Sequence, residues 1–235
     1  MVNDIPYYLY MFEFLTPTFI ISVLVALSVH EWAHGFVAYK LGDPTAKMEG
    51  RLTLNPLAHL DPIGTVMFVM IGFGWGKPVP VDPRYFKKVK RDMALVAIAG
   101  PISNLILAFI SFGLLIAIGQ TSTVTAATGA MFAPPTISPI VQMLRELFMD
   151  SLQINLVLMA FNLLPVAPLD GSKIIRPFIP LSKQDMFDQF EVNGPKILLI
   201  LIMMGYVFNI HILSIWIGII VAPFLQMFGM LASLL

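Results

Sequence analysis

Cysteine is absent from this 235-residue sequence. That excludes disulfides, thiolate metal sites and cysteine nucleophiles, and leaves His, Asp and Glu as the possible metal ligands. Charge is nearly as scarce. Only 12% of the residues are charged against 57% hydrophobic, and the mean hydropathy is +0.83, whereas a soluble domain is about a quarter charged. The composition is that of an integral membrane protein. Lys and Arg (14) balance Asp and Glu (14), so no net field calls for nucleic acid, and the partner the composition requires is a lipid bilayer. Residues 1–14 contain Asp4 and Glu13 but no Lys or Arg, the opposite of a signal-peptide start, so the first apolar segment is expected to be retained, and no lipidation motif is visible. No repeat and no long polar segment interrupts the chain. Residues 1–235 read as a single membrane-embedded domain.

What is present is a series of apolar runs, and a bilayer core takes about 20 such residues per helix. Residues 14–38, 93–118 and 147–164 supply the first three spans. The tail, 197–235, accommodates either one tilted helix with an interfacial piece or two short helices broken near 209–211. Residues 63–75 are apolar but short and hold Gly64, Gly72 and Gly74, a pattern suited to a re-entrant segment. In Lys77-Pro78-Val79-Pro80-Val81 the prolines forbid helix and central strand and leave an edge strand open. Apart from Lys77 and Arg145, the basic residues fall into three regions: Lys40, Lys47 and Arg51; Arg84 to Arg91; and Lys173, Arg176, Lys183 and Lys196, with none in 92–144. The positive-inside rule makes all three cytoplasmic and the uncharged 121–139 loop external.

Near the end of the first span stands His30-Glu31-Trp32-Ala33-His34. Helical residues four apart share a face, so two imidazoles can bind one Zn²⁺ with a glutamate beside them to accept a proton from an activated water. Two histidines and an acid at membrane depth need a compensating role. A hydrolytic zinc takes three protein ligands. Glu49 is one candidate, in a solvated loop between Lys47 and Arg51; Asp170 is the better one, a lone acid where Pro165 and Pro168 end an apolar span and Gly171 loosens the backbone. Asn162 either donates a hydrogen bond to an oxyanion or caps a broken helix. His59 reads as a fourth ligand, a proton shuttle or a loop histidine bonded to Asp61, Asn104 as a cross-helix hydrogen-bonder, and His211 as interfacial.

Together, His30–His34 and Asn162-Leu163-Leu164-Pro165-Val166-Ala167-Pro168-Leu169-Asp170-Gly171 resemble the two defining motifs of the site-2 protease family of intramembrane zinc metalloproteases. Further similarity lies in Gly50 to Pro56, His59 to Gly64, Gly76 to Val81 and Gly100-Pro101-Ile102-Ser103-Asn104. The resemblance implies His30, His34 and Asp170 as ligands of one Zn²⁺, Glu31 as general base, and transmembrane proteins as substrates. It also implies a small membrane-surface β-sheet from residues 46–54 and 77–82. No PDZ-like insert lies between the second and third spans, which resembles the minimal branch of the family. The expected fold is mainly α: a polytopic membrane protein with about four to six transmembrane helices, a re-entrant segment and that sheet. A divalent-metal transporter would use the same histidines but should show repeated halves, and a non-catalytic metal-binding scaffold would have little use for Glu31.

Overall fold

A computed structural model describes residues 16–72, 74–119 and 138–234. Most of the 121–139 loop and residues 1–15 therefore lie outside the described residues. Three helices open on one signal, a capping side chain followed by proline: Thr16 before α1 (Pro17–Lys40), Asp61 before α3 (Pro62–Ile71) and Ser138 before α5 (Pro139–Asn162). Each cap accepts an N–H that the first turn would leave unpaired, and the proline gives up only an N–H that has no helical partner. Between them come the single turn α2 (Thr45–Met48) and the long α4 (Val89–Ala117). After α5 follow the short α6 (Asp170–Ile175), α7 (Gln184–Phe208) and α8 (Ile212–Ser233). The tail is thus two helices, parted where Asn209 takes a left-handed conformation (φ 55°).

The helices α1, α4 and α5 pack against one another in all three pairings. Their burial is inverted relative to a soluble bundle. On α4, Ile102, Ile106 and Ile110 are 46%, 55% and 51% exposed, while Asn104 is fully buried and Ser111 nearly so; on α1, Ile20, Ile21 and Val25 face out and Ser22 and Ser28 face in. Lipid is the solvent that makes such a surface stable. By length and composition α1, α4 and α8 are apolar enough to cross a bilayer, so the chain is a membrane protein with three such helices among the described residues, fewer than expected. The helices α5 and α7 are as long, but α5 carries Arg145, Glu146 and Asp150, and α7 opens with Asp185, Asp188 and Glu191. The α8 helix closes the bundle through Val221, Phe228 and Ala232, which pack on Phe112, Leu115, Leu152 and Leu156.

The expected sheet does not form among the described residues. Residues 45–48 are a helical turn, and the sole ladder pairing is an isolated antiparallel bridge between Leu60 and Gly76. The reason lies in what the 76–82 segment bonds to. Pro78 and Pro80 have no N–H, the Lys77 N–H donates to the His59 carbonyl, and side chains take several of the other groups. Val79 N–H donates to Glu31 Oε2 (2.8 Å), Asp82 N–H donates to Asp43 Oδ2 (2.8 Å), and the Lys77 carbonyl accepts from Arg51 (2.7 Å). Much of the edge a neighbouring strand would use is thereby taken. The short apolar segment folds back on itself: the helix α3 ends at Gly72 (φ 72°), and the Leu60–Gly76 pair joins its helical arm to an irregular return arm. A Cβ on Gly64 would lie 2.1 Å from the Trp75 carbonyl oxygen, and one on Gly74 would lie 2.2 Å from that of Gly64, so the arms touch where only glycine permits.

Candidate metal centre

The helical period brings His30 and His34 to one buried face of α1, with their Nε2 atoms 3.0 Å apart. Asp170, the first residue of α6, adds Oδ2 at 3.2 Å from His30 Nε2 and 3.1 Å from His34 Nε2. Three donor atoms therefore converge, and all three residues are buried. The far side of each ring is already committed. His34 Nδ1–H donates to the Val96 carbonyl (2.7 Å) and His30 Nδ1–H to Asn104 Oδ1 (2.6 Å), both on α4. With Nδ1 protonated in both neutral rings, each Nε2 presents a lone pair.

Two facing lone pairs and a carboxylate oxygen with no hydrogen-bond partner repel one another unless a cation lies among them. The spacing suits zinc: ligand atoms about 2.0–2.1 Å from a tetrahedral ion stand about 3.3 Å apart. Space is kept for it by Gly100, whose Cβ, if present, would lie 2.5 Å from His34 Nε2 and 2.6 Å from His30 Nε2. His30, His34 and Asp170 can thus hold one metal ion.

The matches to known proteins point to a zinc-dependent enzyme. The profile of peptidase family M50 fits residues 18–205. The chain belongs to that family. Its similar relatives include YwhC of Bacillus subtilis (strain 168), 45% identical over 80% of this chain and 80% of its own length. Rip2 of Mycobacterium tuberculosis (strain ATCC 25618 / H37Rv) is 31% identical over 66% of this chain and 55% of its own. MJ0611 of Methanocaldococcus jannaschii is 29% identical over 68% of this chain and 73% of its own. Their names class all three, provisionally, as zinc metalloproteases. No solved structure matches this chain significantly. Membership in M50 makes the chain a zinc-dependent peptidase, and the two-histidine, one-aspartate group gives it a place for the ion.

Around this M50 centre the remaining residues take definite positions. Glu31, half-buried, has Oε2 held by the Val79 N–H; among the described residues no such bond is recorded for Oε1. Val79 comes this close because Gly35, one turn after Glu31, lets its side chain lie on the helix. Asn162 ends α5 with its amide donating to the Leu158 carbonyl (3.0 Å), one of its two N–H groups. The α5 helix stops there because Pro165 cannot continue it, and the orphaned Ala160 carbonyl accepts from Trp216 Nε1 on α8 (2.8 Å). Gly171 acts by close approach, since a Cβ would lie 2.4 Å from the Leu163 and Leu164 carbonyl oxygens; it has no positive φ, so the backbone freedom expected of it is not used.

Other expectations resolve away from the metal. Glu49 is exposed beside α2. His59 is fully buried and donates to the Thr53 carbonyl (2.8 Å) rather than to Asp61, which caps α3 instead. His211 is exposed and pairs with Asn209. Three participants went unread in the sequence: Gly100 as a spacer, the Val96 carbonyl and Asn155, which bonds Asn104 from α5 (2.8 Å). An asparagine inside an apolar span was the available signal for Asn155. The backbone carbonyl has none.

Proposed function

We propose that this M50 peptidase works inside the cell membrane, cutting peptide bonds of membrane-spanning proteins, with His30, His34 and Asp170 binding one Zn²⁺ and Glu31 as general base. The observation that carries the reading is the convergence of His30 Nε2, His34 Nε2 and Asp170 Oδ2 within 3.2 Å while both Nδ1 atoms are engaged elsewhere. Bound zinc would supply Lewis acidity to a scissile carbonyl and to a water. Glu31 takes the water proton on Oε1, with the Val79 N–H restraining Oε2, and delivers it to the leaving amine nitrogen. Asn162 has a second amide N–H for a developing oxyanion. A substrate helix hides its carbonyls, so it must unwind locally before attack, and helices containing Gly or Pro should be cut more readily.

The basic regions support a topology in which the ends of α1 and α5 nearest the metal face the cytoplasm. His30 precedes Lys40 by ten residues, about 15 Å along a helix, which sets the metal below the cytoplasmic surface rather than at mid-bilayer. The hairpin 62–76 then dips in and returns, consistent with its bridged arms, and α5 and α7 cross with α1, α4 and α8.

Glu31→Gln tests the chemistry, since it keeps shape and removes the proton acceptor. Expected is retained zinc with cleavage of a helical membrane substrate in detergent slowed by about 10²–10⁴-fold. Cleavage at the wild-type rate would refute the role given to Glu31.

A further inference from the structure

Behind His30 runs a chain of amides that crosses three helices. His30 Nδ1 lies 2.6 Å from Asn104 Oδ1, Asn104 Nδ2 lies 2.8 Å from Asn155 Oδ1, and Asn155 Nδ2 lies 2.8 Å from the Ser151 carbonyl and 3.3 Å from its hydroxyl. Asn104 and Asn155 are fully buried, and the hydrogen bonds of Asn155 go to Asn104 and Ser151 rather than to the three donor residues.

The chain has a direction. A backbone carbonyl only accepts, so the Asn155 NH₂ must face Ser151 and its Oδ1 must face Asn104. Asn104 must then turn its NH₂ toward Asn155, where a second hydrogen reaches the Ala26 carbonyl at 3.3 Å, and its Oδ1 toward His30. Only a donor at His30 Nδ1 satisfies that oxygen. Were the Asn104 amide reversed, its NH₂ would face Nδ1, the ring proton would move to Nε2, and His30 would lose the lone pair it offers the metal.

We infer that Asn155 is a positioning residue of the metal centre: with the more distant Ala26 carbonyl, it fixes which way the Asn104 amide faces and so the tautomer of His30. The inference rests on the ligand set proposed above. It separates Asn155 from an ordinary interhelical hydrogen-bonder, whose loss would loosen the bundle without caring what stands at position 104. An aspartate at that position offers an acceptor oxygen in either orientation, so it should need no director.

The test is a double-mutant cycle on the full chain in detergent, reading zinc affinity by chelator competition and ligand geometry from the visible spectrum of the Co²⁺ form. Asn155→Leu should weaken zinc by about 10–100-fold, the usual effect of losing such a support. In the Asn104→Asp background, where Asn155 Oδ1 would face a carboxylate oxygen instead of an NH₂, the same change should cost no zinc affinity. Asn155→Ala, smaller and less intrusive, should repeat the pattern and replaces the leucine variant if that fails to fold. An equal loss in both backgrounds, no loss in either, or failure of both variants to fold in either background would overturn the inference. A wild-type chain that binds no zinc would instead refute the ligand set, so the two failures are distinguishable.

Discussion

The histidine side of the centre is an unbroken 24-residue helix whose imidazoles are braced from α4, whereas the aspartate side is a chain reversal, begun where α5 ends and held by the close approach of Gly171 to that helix end. Periodicity and side-chain hydrogen bonds aim the first side. Backbone contact aims the second. Damage to the first should therefore appear in metal binding with the fold intact, while damage to the second should reach fold and metal together.

Gly100→Ala probes the first side most sharply. The added methyl would enter the space between the two Nε2 atoms, while alanine is the better helix former by about 1 kcal/mol. Zinc should fall from about one per chain to near zero, with helical content unchanged and the melting temperature no lower than that of the metal-free wild type. A Gly100→Ala protein that holds zinc normally would mean the donors do not converge as described.

Gly171→Ala probes the second side. Its methyl meets two backbone carbonyls that cannot move without shifting the end of α5, an overpacking of about 1–3 kcal/mol. Thermal unfolding in detergent should come earlier and zinc should bind more weakly as Asp170 is displaced. Weaker zinc with unchanged melting would erase the distinction between the sides. The smallest effect should come from Trp216→Phe, which keeps the ring but leaves the Ala160 carbonyl without its donor. About 1 kcal/mol of stability, seen as a small drop in melting temperature with zinc unaffected, would place α8 outside the ligand geometry.

Legibility in the sequence follows the same division. His30, Glu31 and His34 stand out because helical spacing alone puts them on adjoining faces, and Asp170 because a lone acid beside prolines at the end of an apolar run is costly without a purpose. The surface layer was misread. Alternation in residues 77–81 suggests an edge strand, but Glu31 and Arg51 take the Val79 N–H and the Lys77 carbonyl, and such pairings lie 26 to 48 residues apart in sequence. The tail left one helix or two open, with the break of the second alternative near 209–211; the left-handed Asn209 decides for two. Asn155 carries a signal as an asparagine in an apolar span, but near Asp150 and Ser151 it reads as one more polar position on α5, and its importance arises only where α4 presents Asn104 to it.

The central claim, one zinc held jointly by the two sides, is tested most directly by metal analysis of the purified chain beside His34→Ala, Asp170→Ala and Glu31→Gln. About one zinc per chain is expected in the wild type and in Glu31→Gln, and close to none in the other two. Equal zinc in all four proteins would contradict the account.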